Sequence, residues 1–300
     1  MEGLLKWSLS QQGDNAEARE RAGNPDPQAL AQLLGMVQGK DDPTLMKESA
    51  AILEDEKSTP EEKAAALGDM EMLIENLDNA NNLKNMKLWE PVLKQLDSED
   101  TKVQCLACSC IGSAVQNNPK SQKDFLEQPE SSTAFAKIIK LAEDSKDEKV
   151  RVKAVYALAS IIRHSKEAYG LFEQNNGWDL IPSILNSSDA SDKLKIRALS
   201  LLSSIFSEEV ERNKFSTAEG QEKIKRIHED KIVNSMVKML GKDADLNCID
   251  KILNLLALLI SHGYQFSDDE IKQISSKFKE LKPIADRLNE DDYRTLKSVI

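Results

Sequence analysis

Three of the four cysteines crowd into six residues, at 105, 108 and 110, with the fourth at 248, and a cluster of thiols is where metal or redox chemistry would first be sought. On a helix that cluster does not converge. At 100° per residue, Cys105 and Cys108 share a face while Cys110 points about 140° to 160° away from both, so the three read as small buried hydrophobes. No disulfide framework is suggested, and a reducing compartment fits.

The three histidines, His164, His228 and His262, lie far apart in the sequence, and none has a Cys, Ser or carboxylate pattern nearby that would make a triad. His164 and His262 each follow a long apolar helix, where an imidazole serves to cap exposed carbonyls. There is no GxxxxGK, no strand-associated GxGxxG and no HExxH, and the acidic run Glu290-Asp291-Asp292 lacks the spacing of a calcium loop. The expectation is a protein without catalytic residues, metal or cofactor. With 40 basic against 51 acidic side chains and a net charge of −11, broad binding to phosphate backbones or anionic membranes is disfavoured.

The elements that must carry whatever function there is come from one repeating stretch, Lys149–His164 (KVRVKAVYALASIIRH). Its register recurs at Lys102–Asn117, Lys193–Ser207 and Lys251–Ser261, and more weakly at Glu61–Asn76, with offsets of 41, 47, 44 and 54 residues. That period predicts stacked armadillo or HEAT repeats. Shorter helical stretches before each long one, such as Gln122–Leu126 and Phe135–Ala142, make triples and favour armadillo. The fold class expected is an all-α, right-handed armadillo solenoid.

On the helical wheel Val155, Leu158, Ala159 and Ile162 form the apolar face, widened by Ala154, Ala157 and Ile161. A narrow polar stripe remains: Lys149, Lys153, Tyr156, Ser160, Arg163 and His164. Transferred through the offsets it gives Ser109, Ser113, Gln116 and Asn117, then Arg197, Ser200 and Ser204, then Lys251 and Asn254. In the first repeat it runs Glu75, Asn76, Asn79 and Ala80, with Ala80 one helical turn beyond Asn76. Stacking aligns these stripes into a concave wall. Small residues on it would let a folded partner approach, and the amides and arginines beside them would orient it. The candidate partner-binding residues are therefore Glu75, Asn76, Asn79, Ala80, Gln116, Asn117, Tyr156, Arg163, Arg197 and Ser200.

Around the repeats, residues 1–22 form an amphipathic arm with Leu4, Leu5 and Trp7, and 23–44 form a Pro- and Gly-rich linker. Repeats fill 45–267, with a charged insertion at 208–230, and 268–300 is a helical cap. Trp7 is either a staple on the first repeat or a ligand for a partner. No stretch approaches the length of a membrane span, and the N-terminus does not read as a secretory signal.

Several stretches together carry a family resemblance: MEGLLKWS at 1–8, RAGNPDP at 21–27, DDPTLMKES at 41–49, MLIENLDNANN at 72–82, KLWEPVL at 87–93, IGSAVQNN at 111–118, YALASIIR at 156–163, KLKIRAL at 193–199 and RLNEDDY at 287–293. Across nearly its whole length the chain resembles the fungal Fes-type nucleotide exchange factors, relatives of the animal protein that binds DnaK-type (heat-shock 70 kDa) chaperones. The resemblance implies a cytoplasmic, monomeric co-chaperone whose concave face grips the chaperone's ATPase domain and promotes ADP release. It also implies that the N-terminal arm contacts the chaperone's substrate-binding part. The alternative is an armadillo adaptor or transport receptor for extended peptides, which would carry Trp and Asn ladders along the groove.

Overall fold

Asp, Ser or Thr stands before each long helix of the repeat, and each side chain turns back to accept a backbone N–H from the first turn. Asp100 accepts from Lys102 and Val103, Asp147 from Lys149, Ser191 from Leu194 and Asp245 from Cys248. Thr59 completes a reciprocal box with Glu62. These caps stand 41, 47, 44 and 54 residues apart, the same offsets that the apolar register gives. Local capping and long-range packing thus specify the same starts.

The computed structural model describes residues 40–207, 210 and 215–298, and every regular element among them is helical. The arm residues Leu4, Leu5 and Trp7 lie outside the described residues. Contacts divide the chain between Leu45 and Met46, and the stacked repeats lie in the unit that begins at Met46. The helices are α1 Asp42–Glu54, α2 Pro60–Ile74, α3 Leu77–Asn82, α4 Trp89–Lys94, α5 Thr101–Val115, α6 Pro119–Leu126, α7 Ser131–Asp144, α8 Glu148–Ile162, α9 Lys166–Gln174 and α10 Leu180–Asn186. They continue with α11 Asp192–Ile205, α12 Ala218–Glu229, α13 Ile232–Lys238, α14 Leu246–Ser261, α15 Asp268–Leu281 and α16 Glu290–Lys297.

Three tiers follow from this order. The long helices α2, α5, α8, α11 and α14 stack on one another in sequence. The middle helices α10 and α13 stack likewise, and the short α3, α6, α9 and α12 open each triple. Helix α12 holds the first position of its triple and buries Gly220, Lys223 and Ile227, so this part of the charged segment at 208–230 serves as an elongated first helix. At the C-terminus α15 packs on α13 and α16 on α14, a repeat without its first helix. Its polar outer side, with Glu290, Asp291 and Asp292 in the first turn of α16, ends the stack in water.

The core runs the length of the stack. Leu67, Ile111, Leu158, Leu199 and Leu256 are fully buried along the inner tier, and Trp89, Phe125, Phe135 and Phe172 fill the space behind it. Trp89 meets Phe125 edge-on at 5.6 Å between ring centroids. Cys108 and Cys110 belong to this core, and Cys110 Sγ lies 3.2 Å from the Leu67 carbonyl oxygen. Burial pushes both thiols up, and holds Cys248 at about 11. Cys105 is only part-buried. No helix among the described residues is long and apolar enough to cross a membrane.

A candidate docking groove on the inner helices

Three of the inner helices, α5, α8 and α14, stop in the same way. Asn117, His164 and Gly263 follow α5, α8 and α14 with φ of 52°, 56° and 78°, a left-handed stop that Asn and Gly adopt at least cost. The residues just before the first two, Gln116 and Arg163, are helix caps with extended backbone. Gln122 of α6 holds the end of α8, its amide donating to the carbonyls of Ser160 at 2.9 Å and Arg163 at 2.8 Å. His262 brings Nδ1 within 2.8 Å of the Leu258 carbonyl oxygen, in the capping role expected from its position. His164 instead donates its backbone N–H to Ser207 Oγ at 2.8 Å.

The floor of the groove is a polar network that joins three successive inner helices. Glu71 on α2 accepts from Ser109 Oγ and, at 3.3 Å, from Ser113 Oγ, both on α5. From α8, Lys153 Nζ donates to Ser109 Oγ at 2.6 Å and lies 3.7 Å from the Glu71 carboxylate. Tyr156, also on α8, donates its hydroxyl to Gln116 Oε1 at 2.8 Å. Arg197 on α11 lays its guanidinium 5.0 Å from the centroid of the Tyr156 ring, within cation–π range.

Two adjoining hollows make up the groove. One, of 620 Å3, is lined by Glu71, Glu75, Ser113, Lys153 and the shared wall of Gln116, Asn117, Tyr156 and Arg197. The other, of 310 Å3, has that shared wall together with Arg163, Ser200, Ser204 and Lys251. Seven of the ten residues expected on the wall therefore line one continuous surface: Glu75, Gln116, Asn117, Tyr156, Arg163, Arg197 and Ser200. The hydroxyl of Ser200 is committed to the Ile196 carbonyl of its own helix, at 2.9 Å.

The other three expected residues are placed differently, because α2 does not continue through them. It ends at Ile74, and Asn76 caps the separate helix α3, its side chain accepting from the Asp78 N–H at 2.9 Å. Asn79 and Ala80 then turn inward and are buried. Asn79 Nδ2 donates to the Leu73 carbonyl at 2.9 Å, and the Ala80 carbonyl accepts from Ser121 Oγ at 3.0 Å. Ala80 is 2% exposed, so it is not a gap in an open stripe one turn beyond Asn76. The serines were also expected as an open path for a partner, but Ser109, Ser160 and Ser204 are buried, with Ser109 roofed by Lys153 and Glu71. Glu71 is the functional candidate the sequence reading missed. Its repeat-equivalents are Gly112 and Ala159, and a carboxylate at a position otherwise kept small was the available signal.

Comparison with known proteins places the chain as follows. The family described as "Nucleotide exchange factor Fes1" matches residues 1–83, and that described as "SIL1/FES1/HPBP1 C-terminal domain" matches residues 79–282. A protein of Eremothecium gossypii named Hsp70 nucleotide exchange factor FES1 is 42% identical over 301 residues, covering 100% of both chains. The protein of that name in Saccharomyces cerevisiae is 41% identical over 303 residues, again covering 100% of each. Among solved structures, a designed armadillo repeat protein superposes with a TM-score of 0.63 at 18% identity, covering 86% of this chain and 98% of its own. An engineered protein gives 0.65 at 19% identity over 87% and 99%. These structural likenesses speak to the fold alone, and the fold is the armadillo solenoid.

Proposed function

This chain belongs to the Fes1 family of Hsp70 nucleotide exchange factors, and from that premise we propose that it accelerates ADP release from a cytoplasmic Hsp70 by docking the chaperone's nucleotide-binding domain in the inner-helix groove. The observation that carries the docking site is the continuity of the groove. Side chains from α2, α5, α8, α11 and α14 line its two hollows, which share Gln116, Asn117, Tyr156 and Arg197 as a common wall. The binding surface is rigid because the Glu71–Ser109–Lys153 network ties three helices together.

The mechanism is linkage rather than chemistry. A groove that fits an opened nucleotide cleft better than a closed one lowers ADP affinity, and ADP must weaken the exchange factor by the same factor. A thousandfold effect would need about 4 kcal/mol of differential contact. ATP then enters and the client leaves. The chain itself makes and breaks no bond, and it acts as a monomer. The N-terminal segment with Leu4, Leu5 and Trp7 contacts the chaperone's substrate-binding part in this reading. A peptide-receptor role would use tryptophans in the groove, whereas Trp89 and Trp178 are both buried on the middle tier.

The test is release of a fluorescent ADP analogue from purified Hsp70. Wild-type protein should speed release in proportion to its concentration, and Arg197→Ala should lose most of the effect while keeping its helical spectrum. Because Ala80 is buried, Arg197 is the cleaner position to alter. No acceleration by the wild type would overturn the reading.

A further inference from the structure

Two periodic positions face the groove; one grades in charge from α2 to α8 and the other is basic in α8, α11 and α14. The helix-cap position reads Glu75, Gln116, Arg163 at the ends of α2, α5 and α8. The mid-helix position reads Lys153, Arg197, Lys251 in α8, α11 and α14, equivalents through the repeat offsets. At the α2 end the cation is balanced, since Lys153 sits 3.7 Å from Glu71, with Glu75 beside them in the same hollow.

At the other end nothing balances. The hollow around Arg163, Arg197 and Lys251 contains no carboxylate among its described lining residues. None of the three side chains makes an ion pair among the described residues, and the contact of Arg197 is with the Tyr156 ring. Several cations elsewhere take partners: Lys84 pairs with Glu127, Lys137 with Asp97, Lys166 with Glu219 and Arg226 with Asp179. In a chain of net charge −11, three unpaired cations in one hollow repel each other at a cost to the free protein. Lys251 registers it, held below its ordinary value by burial and by the nearby Arg163 and Arg197. A ligand that brings carboxylates removes that repulsion, so the hollow is complementary to an acidic surface.

We propose that Arg163, Arg197 and Lys251 form one carboxylate-receiving subsite that takes paired acidic side chains on the chaperone's nucleotide-binding domain and so fixes which way round the domain lies. The reversed orientation would set those acidic side chains against Glu75, beside a Glu71 already paired with Lys153, and like charges across an interface disfavour it. The subsite rests on the exchange-factor reading and adds to it an orientation rule and two anchors, Arg163 and Lys251.

The test compares Arg163→Glu/Lys251→Glu with Lys140→Glu/Lys146→Glu, which makes the same change in net charge at exposed positions of α7 and the turn after it. Affinity for full-length, ADP-loaded Hsp70 is measured at low and high salt, alongside the helical spectrum and melting temperature. The groove variant should bind roughly 30-fold or more weakly at low salt, with a flatter salt dependence, while the outer variant matches wild type. Arg163→Gln/Lys251→Gln should show the same flattening with a smaller loss, which protects the test against misfolding of the reversed-charge variant. Equal binding by the groove and outer variants would overturn the subsite while leaving exchange activity intact. Failure of the wild type to bind Hsp70 at all would instead overturn the exchange-factor reading, and the subsite with it. Sodium phosphate binding to the wild-type hollow as tightly as Hsp70 does would make it a small-anion site and overturn the proposal.

Discussion

Gly112 on α5 lies directly against the ring of Tyr156 on α8: a methyl group built at Gly112 would stand 2.5 Å from Cε1 and 2.7 Å from Cδ1 of the tyrosine. The absence of a side chain there makes room for the ring, whose hydroxyl reaches Gln116 and whose face receives Arg197. A helix-interior glycine costs about 1 kcal/mol relative to alanine, and here that cost places a groove residue.

Gly112→Ala should therefore separate stability from docking. The gain in helix propensity and the clash with Tyr156 partly cancel, so the melting temperature should move by only a few degrees, in line with about 1 kcal/mol or less. Hsp70 binding should weaken because the ring is displaced. Tyr156→Phe, which keeps the ring and removes the bond to Gln116, should lose less affinity than Gly112→Ala. Isothermal titration against Hsp70 checks the order, and wild-type affinity for Gly112→Ala would show that the position of the ring is unimportant.

Leu158 and Leu202 occupy the same two-sided position in consecutive repeats and are 0% and 1% exposed. Each to Ala should cost about 2–5 kcal/mol, read by urea denaturation, whereas Lys149→Ala on the exposed rim should change stability by no more than about 0.5 kcal/mol. Equal shifts in all three would contradict the register. Lys153→Ala is not a neutral control, since it strips Ser109 and Glu71 of a partner.

Deleting residues 1–22 tests the arm. If that segment serves the chaperone rather than the fold, the truncated chain should keep its melting temperature and its acceleration of ADP release, and client release should slow. A large drop in thermal stability would make Trp7 a structural staple.

The thiols offer a check on the core. At pH 8 a small thiol reagent should label native protein at Cys105 first, since that side chain is part-exposed while Cys108, Cys110 and Cys248 are buried. Burial also raises the pKa of all four thiols, which keeps them protonated and slow to react. Rapid labelling of Cys108 or Cys110 without denaturant would mean that α5 is not packed between α2 and α8.

What the sequence determined by itself is whatever repeats. The apolar register and the capping residues Thr59, Asp100, Asp147, Ser191 and Asp245 recur at one set of offsets, so the inner helices, their stacking order and the faces they bury were legible without coordinates. So were Gln116, Tyr156, Arg163 and Arg197 as groove residues, because a stripe left polar on an otherwise apolar helix has to face water or a partner. Only the tertiary structure decided what depends on one helix meeting another. The amide-rich run from Asn76 to Asn82 looks like a continued stripe, yet Asn76 turns its side chain onto the Asp78 N–H and starts a new helix, and periodicity carries no record of that local competition. Lys153 looked like a solvated charge until α2 was laid beside α5 and brought Glu71 to the same spot. The fit of Gly112 to Tyr156 likewise exists only between neighbouring repeats, since neither residue meets the other until α5 and α8 pack.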